Sequence, residues 1–526
     1  MRGIPGVAIN EDSLRQAASE TPSRHLFEEV LESKWALVVV SPEMLMTPGF
    51  NKVLTNSSFQ QHLSLIFIDK CHLVDEQGAD FRPCYKSIGL LRSCIPTKIP
   101  WVAATATLPP GHCFDAVMDS LGFHPGHYIH HTLQIDNPHI CYIPRILQYP
   151  ISGTSFLDLA WLIPASATSP HDITKTLIFC ETIDLGYRVY NFLHSLLPQP
   201  LHGNEEIILP YHSLLSKPGR TMVMENFRLG ATRVVIGTDC FTWGVDVPDI
   251  RNVVVFGLPS SFSKLVQQIG RAGRDGNQAY AITYAAQWVK DVPEDLWKPT
   301  KQEITNLKRR EGMCPVLHNW FNSSPESCPR ITFCKHFGED PSLSTNCCLH
   351  HHTTLPTIEP TESRVQQFSS THTQALKVRS DGTYKTFKAK NLQESALRMI
   401  NMWTRQAWEE IRGKNTLLPS TAFFPDALQK RLSEKIHVVT SPEKLSLVLH
   451  DWCYLNSHKD KLYKFCQTML KGLDGLRQEF HGTRKVVGGG EKSQGIHPTK
   501  IKIPASKQKA HDEPADMQPH KKQCRR

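Results

Sequence analysis

Six short apolar runs set the terms for any fold of this 526-residue chain. They are Ala36–Val40, Leu63–Ile68, Trp101–Ala104, Lys175–Cys180, Arg233–Gly237 and Val253–Gly257, each too short for a stable helix. Most are near-continuous in apolar residues and rich in β-branched side chains, the pattern of strands buried on both faces of a sheet. Helical stretches lie between them. Leu26, Phe27, Val30 and Leu31 share one face, 184–197 reads as a helix, and the helix over 221–230 stops at Gly230 as its C-cap. Polar residues gather where the strands stop: Asp69 after Ile68, Thr105–Thr107 after Ala104, and Thr238–Asp239 after Gly237. Strands alternating with helices build a parallel α/β sheet whose site lies at the carboxyl edge.

One segment between strands carries its own chemistry. Gln267–Gly276 reads QQIGRAGRDG, with Arg271 and Arg274 each beside glycine. A guanidinium presents a permanently charged donor fork to phosphate oxygens, and glycine lets the backbone approach. The same run taken alone is also an ordinary basic turn. About thirty residues upstream lies VVIGTDCFTWGVDVPDIRNVVVFGLP, which holds Thr238, Asp239, Gly244 and Asp246. Together the two blocks resemble motifs V and VI of superfamily 2 helicases, and QxxGRAGRDG is the form typical of the RecQ family. That resemblance implies a motor of two RecA-like lobes with ATP and Mg²⁺ held between them. Arg271 and Arg274 would reach the γ-phosphate, with Gln267, Gly244 and Asp246 in the same nucleotide site. Thr238 and Asp239 would meet the DNA backbone and couple the lobes.

The resemblance extends to the first lobe. VSPEML matches the segment containing motif Ib, and IDKCHLVDEQGADFRPCY (68–85) aligns with the segment containing the DEAH box and an aromatic-rich loop. ATAT (104–107), which includes Thr107, matches motif III. In the family the DEAH aspartate, here Asp69, coordinates Mg²⁺, and the glutamate positions or deprotonates water. This chain keeps Asp69 and His72 but has Lys70 at the glutamate position and Cys71 at the alanine. An ammonium has donors and no acceptor, so Lys70 cannot act as the base. Phe81 and Arg82 survive from the loop that links single-stranded DNA to hydrolysis, while its tryptophan is Gln77. No GxxxxGK[ST] phosphate loop occurs in the chain, and GGGEKS (488–493) lacks the second glycine. The sequence is expected to start after motif I, leaving the first lobe incomplete.

Beyond residue 290 the composition changes. Fifteen cysteines spread over this length predict reduced thiols and a metal cluster, not a disulfide scaffold. In frame with the RecQ zinc-binding subdomain, the resemblance assigns Cys328, Cys347, Cys348 and His351 as Zn²⁺ ligands, with His350 and His352 competing for the fourth place. Cys314 and Cys334 read as packing thiols. The expected organisation is α/β: a partial first RecA-like lobe over 1–135, a second lobe over 136–290, and a zinc-binding helical subdomain over 291–352. A linker over 353–385, a small α-helical region over 386–480 and a disordered basic tail over 481–526 complete the chain. Trp403, Trp408 and Trp452 are expected in the core of the helical region.

A net charge of +9 permits binding to nucleic acid without demonstrating it. No run approaches the ~18 apolar residues of a membrane span, and the N-terminus lacks a secretory h-region. The family expectation is a nuclear ATP-dependent 3′→5′ helicase on single-stranded or forked DNA. The missing phosphate loop and Lys70 favour two alternatives: a nucleic-acid-binding pseudo-helicase, or a truncated fragment of a helicase gene.

Overall fold

The computed structural model describes residues 3–76, 83–85, 87–95, 98–242, 246–293, 297, 299–341, 346–352, 358–366, 390–411, 418–450, 452 and 454–486. Gln77, Phe81, Arg82 and Gly244, the GGGEKS run, most of 353–385 and the tail past Val486 lie outside the described residues. The chain divides into two compact units, Met1–Leu470 and Lys471–Arg526, and the lobes and clusters of interest belong to the first.

The first lobe runs β1 (Gly6–Ile9), α1 (Glu11–Ser19), α2 (Leu26–Leu31), β2 (Leu37–Val40), α3 (Pro42–Leu45), α4 (Pro48–Leu54) and α5 (Ser57–His62). It continues with β3 (Ile66–Asp69), α6 (Leu73–Glu76), β4 (Trp101–Ala104) and α7 (His112–Ser120). β1 pairs with β2 and β3 with β4, both parallel. The strand expected over Leu63–Ile68 is shorter and shifted, because its first ladder bond runs from Ile66 N to Pro100 O. Ser41 caps α3 through the Met44 amide, as its position before Pro42 predicts. One core gathers Ile9, Val30, Phe50, Ile68, Val117 and Leu121. The opposite face of the β3–β4 ladder is bare: Phe67 and Val102, paired in register, are 59% and 40% exposed.

The second lobe consists of β5 (Ile140–Ile146), β6 (Thr176–Cys180), α8 (Ile183–Ser195), β7 (Ile208–Tyr211), α9 (Lys217–Leu229) and β8 (Val234–Gly237). β9 (Asn252–Phe256), α10 (Phe262–Ile269) and β10 (Ala279–Ala285) complete it. All six strands are parallel, in the order β5-β10-β9-β6-β8-β7. β6, β7, β8 and β9 are buried at every residue, as their continuous apolar runs require. Thr182, Ser216 and Ser261 cap α8, α9 and α10 by accepting from backbone amides of the first turn. Each such cap is worth roughly 1 kcal/mol. Gly230 closes α9 in the left-handed conformation, φ +84°.

Three helices then return to this lobe: α11 (Lys301–Glu311), α12 (Pro315–Phe321) and α13 (Pro329–Phe337). Leu317, Trp320, Phe333 and Phe337 join the same core as Tyr142, Phe262 and Ala281. The Trp320 indole donates to Thr283 Oγ1 at 2.9 Å. Residues 358–366 are polar enough to read as linker, yet Ile358 and Arg364 are buried and Arg364 donates to Ala160 O at 2.8 Å. Trp403 and Trp408 of the helix Lys390–Ile411 form an aromatic cluster with Phe423, Phe424 and Trp452, and the Trp452 indole donates to Phe423 O at 2.6 Å. Trp408 and Trp452 are buried and Trp403 half-buried, as core residues. Among the described residues no helix is long and apolar enough to cross a membrane.

Candidate functional site

The carboxyl edge of β3 delivers Asp69, and the chain turns sharply there, with Lys70 at φ +54°. This left-handed backbone is costly for a residue bearing a Cβ. It lets the lysine fold back on its neighbour. The Lys70 amide donates to Asp69 Oδ1 at 2.9 Å, and its ammonium pairs with Asp69 Oδ2 at 3.0 Å. Two residues on, His72 is buried and faces the second lobe. Its Nδ1 lies 2.6 Å from Thr105 Oγ1, and the Gln267 amide lies 3.0 Å from its Nε2. Gln267 also donates to Thr107 Oγ1 at 3.4 Å. With Nε2 accepting, Nδ1 carries the proton and donates to Thr105. Burial, with a smaller contribution from Lys70, pulls the His72 pKa down to about 4, so the ring is neutral at pH 7. The structure therefore joins His72, Thr107 and Gln267 across the two lobes.

The arginine turn is built by α10 and the loop leading from it into β10. Gly273 sits at φ +57°, and a Cβ there would meet Ala279 Cβ and Asn277 O, each at 3.0 Å. Glycine is required on both counts. Asp275 anchors the turn through a two-point ion pair with Arg251. Arg274 donates from Nε to Gly270 O at 3.2 Å and from Nη1 to Asp246 Oδ1 at 3.0 Å. Arg271 is half-buried beside them; burial first and Arg274 second lower its pKa to about 10, still fully charged at pH 7. Asp246 is thus brought to the arginines, while Asp69 bonds to Lys70 on its own strand end. At the end of β8, Thr238 donates to Cys240 Sγ at 3.6 Å. Asp239 accepts from Gln268 at 3.2 Å and pairs with Lys264 at 2.7 Å. Neither Lys264 nor Gln268 stood out in the sequence. The four-residue spacing of Lys264 and Gln268 on one helix was the readable signal.

A second cluster lies at the N-terminus of α13. Cys328 is its N-cap residue, and Cys347, Cys348 and His351 come from a loop that bridges to β5 through Tyr142 and Cys348. The four ligand atoms all lie within 4.8 Å of one another. Cys347 Sγ is 3.6 Å from Cys348 Sγ, and His351 Nδ1 is 3.4 and 3.2 Å from the two sulfurs. A tetrahedral zinc with ordinary bond lengths places its ligands roughly 3.5–3.8 Å apart, so the residues fit that ion. His350 turns instead to Ser323 Oγ at 3.2 Å, and His352 lies against the Tyr280 ring. Cys314 and Cys334 belong to the hydrophobic core. A hydrogen bond from the Cys348 thiol pulls Cys328 below the usual thiol range, whereas donating that bond pushes Cys348 up. Thiol protons on the cluster would leave on metal binding.

Residues 159–276 match the family model for the helicase conserved C-terminal domain. The chain is 26% identical over 329 residues to the ATP-dependent helicase wrn-1 of Caenorhabditis elegans, covering 59% of this chain and 28% of that protein. It is 25% identical over 348 residues to the ATP-dependent DNA helicase RecQ of Pasteurella multocida, covering 65% and 50%. With the probable ATP-dependent DNA helicase RecS of Bacillus subtilis it shares 26% over 320 residues, covering 58% and 60%. The chain thus spans between about a quarter and three-fifths of the length of these curated relatives. Among solved structures, Dbp5 of S. cerevisiae bound to RNA and ADP BeF3 matches 59% of this chain and 68% of its own, at 17% identity and a TM-score of 0.39. In the two motif blocks on its second lobe and in these sequence matches, the chain is similar to RecQ-family superfamily 2 helicases, with the helicase conserved C-terminal domain over residues 159–276.

Proposed function

We propose that this chain is a RecQ-like DNA-binding protein in which ATP hydrolysis is silenced at Lys70. The observation that carries this reading is the Asp69–Lys70 ion pair at 3.0 Å. In the family motif the aspartate is the metal ligand and the next residue the acceptor for water. Here an ammonium occupies the aspartate's oxygen, and the acceptor is gone. A unit charge about 4 Å from a divalent cation repels it by roughly 2 kcal/mol at the dielectric of water and roughly 8 at an effective dielectric of 20. Lys70 is partly exposed, which favours the lower figure, and even that weakens Mg²⁺ about thirtyfold. These residues do not fit a catalytic Mg²⁺·ATP, and a phosphate loop supplied from outside this sequence would not remove the obstacle.

DNA, single-stranded or forked, is the proposed partner. The basic net charge, the carboxyl-edge pair Thr238 and Asp239, and Thr107 across the cleft support it. Lys264 neutralises Asp239 and so removes a carboxylate's repulsion from a phosphate backbone. Zinc at Cys328, Cys347, Cys348 and His351 would be structural, because four protein ligands leave no open position. The test measures phosphate release with Mg²⁺ and single-stranded DNA, beside anisotropy of a labelled strand and fork. Release stays at background while binding persists and weakens steeply with salt. Turnover well above background that Arg274→Ala abolishes overturns the silencing, and absence of binding to both probes overturns the DNA assignment. A second reading, an ATP-driven 3′→5′ helicase, draws on the Gln267–His72 bond that closes the cleft and on the intact arginine turn. The same turnover result would establish it.

A further inference from the structure

The stretch that joins the lobes, residues 133–140, enters β5 through a set of contacts made by α13. The Glu339 carboxylate accepts the Ile135 amide at 2.7 Å and the Asp136 amide at 3.1 Å. The Arg330 guanidinium pairs with the Asp136 carboxylate and donates to Ile140 O and, at 3.2 Å, to Asn137 O. It also lies 4.9 Å from the centre of the Tyr142 ring. Arg330 and Asp136 are both fully buried. Both anchors are fixed by α13: Arg330 sits in its first turn, two residues after the ligand Cys328, and Glu339 comes directly after the left-handed Gly338 that ends it. On the other side, the loop carrying the remaining ligands pairs with β5. Tyr142 N donates to Cys347 O at 3.2 Å, and Leu349 N donates to Tyr142 O at 3.1 Å.

Consequently the four metal ligands sit on two separate pieces of chain, and each piece grips the start of β5. A buried Arg–Asp pair contributes little by itself, since desolvation cancels most of the attraction unless both partners are held in good geometry. The ligand loop is seven described residues, 346–352, whose backbone pairing to the sheet is a single isolated bridge. A metal shared by Cys328 and that loop would tie α13 to it and so hold Arg330 and Glu339 in register. Lobe 1 touches the same helix end, because a Cβ at Gly338 would stand 3.4 Å from Pro110 Cγ.

We infer that metal binding at the Cys₃His cluster is coupled to the order of the interlobe segment, with Arg330 and Glu339 as positioning residues that transmit it. The inference rests on the proposed zinc assignment. By linkage, what loosens the segment weakens the metal, and what removes the metal loosens the segment.

Amide hydrogen exchange on the full chain, resolved to 133–142, tests this, with zinc content measured by mass spectrometry on the same samples. After chelation the Ile135 and Asp136 amides exchange at least tenfold faster, while β8 and β9 are unchanged. Glu339→Gln accelerates the same two amides with one zinc per chain retained. Unaltered exchange at Ile135 and Asp136 after the metal is stripped overturns the coupling. So does acceleration of β8 and β9 by the same factor, which would mean general unfolding. A chain purified without metal refutes the zinc assignment and the coupling with it. The Glu339→Gln exchange rates still report whether Glu339 positions the segment.

Discussion

His72 shows how one buried side chain sets both a contact and a pH response. Its pKa falls from 6.5 to about 4, chiefly through burial, so the folded chain binds fewer protons than the unfolded chain in that window. The stability this contributes is complete above about pH 6.5 and is lost as pH falls toward 4. Between pH 8 and pH 5 the loss amounts to about 2 kcal/mol. His72→Asn removes the titration, so denaturant midpoints of variant and wild type should converge on acidification; parallel curves would refute the assignment. Lys70→Glu belongs to the same scale. Replacing the ammonium with an acceptor should raise Mg²⁺ affinity at Asp69 by tenfold or more, read by Mn²⁺ titration with paramagnetic detection. Equal affinities would show that Lys70 is not what keeps the metal out.

At the scale of elements, the arginine turn depends on its glycines unequally. Gly273 and Gly276 both have positive φ, but a Cβ at Gly276 meets open space whereas one at Gly273 strikes Ala279 and Asn277. Gly276→Ala should cost about 1 kcal/mol, the left-handed penalty alone. Gly273→Ala should cost roughly 2–4 kcal/mol, adding overpacking to that penalty. Thermal midpoints separate the two, and equal shifts would refute the close approach. The caps were legible beforehand at Ser41 and Gly230, which stand where polar or flexible residues meet an apolar period. β5 and β10 were harder to see. Ile140–Ile146 contains Pro144 and Arg145, and Ala279–Ala285 is built largely of alanine and tyrosine, so neither presents a β-branched run.

Across the whole molecule the two lobes differ in how well they cover their sheets. The second lobe buries β6 to β9 completely, while Phe67 and Val102 leave one face of the β3–β4 ladder in water. Local stability follows buried contacts. Amides of β3 and β4 should therefore exchange at least a hundredfold faster than those of β6, β8 and β9 in native buffer. Comparable protection would mean that the bare face is covered in solution.

The apolar runs and their polar ends by themselves determined an alternating α/β chain, and QQIGRAGRDG and the cysteine–histidine cluster carried the resemblance to RecQ helicases that implied the ligand candidates. These are local properties, carried by burial period and by residue chemistry. Which histidine joins three cysteines was decided only in three dimensions. His350, His351 and His352 are chemically alike, and only the turn of the loop brings His351 Nδ1 to the sulfurs. Likewise the meaning of Lys70 depended on a left-handed turn that lays its ammonium on Asp69. The pairing of His72 with Gln267 spans 195 residues. Contacts of that separation have no local period to announce them, so tertiary packing alone could set them.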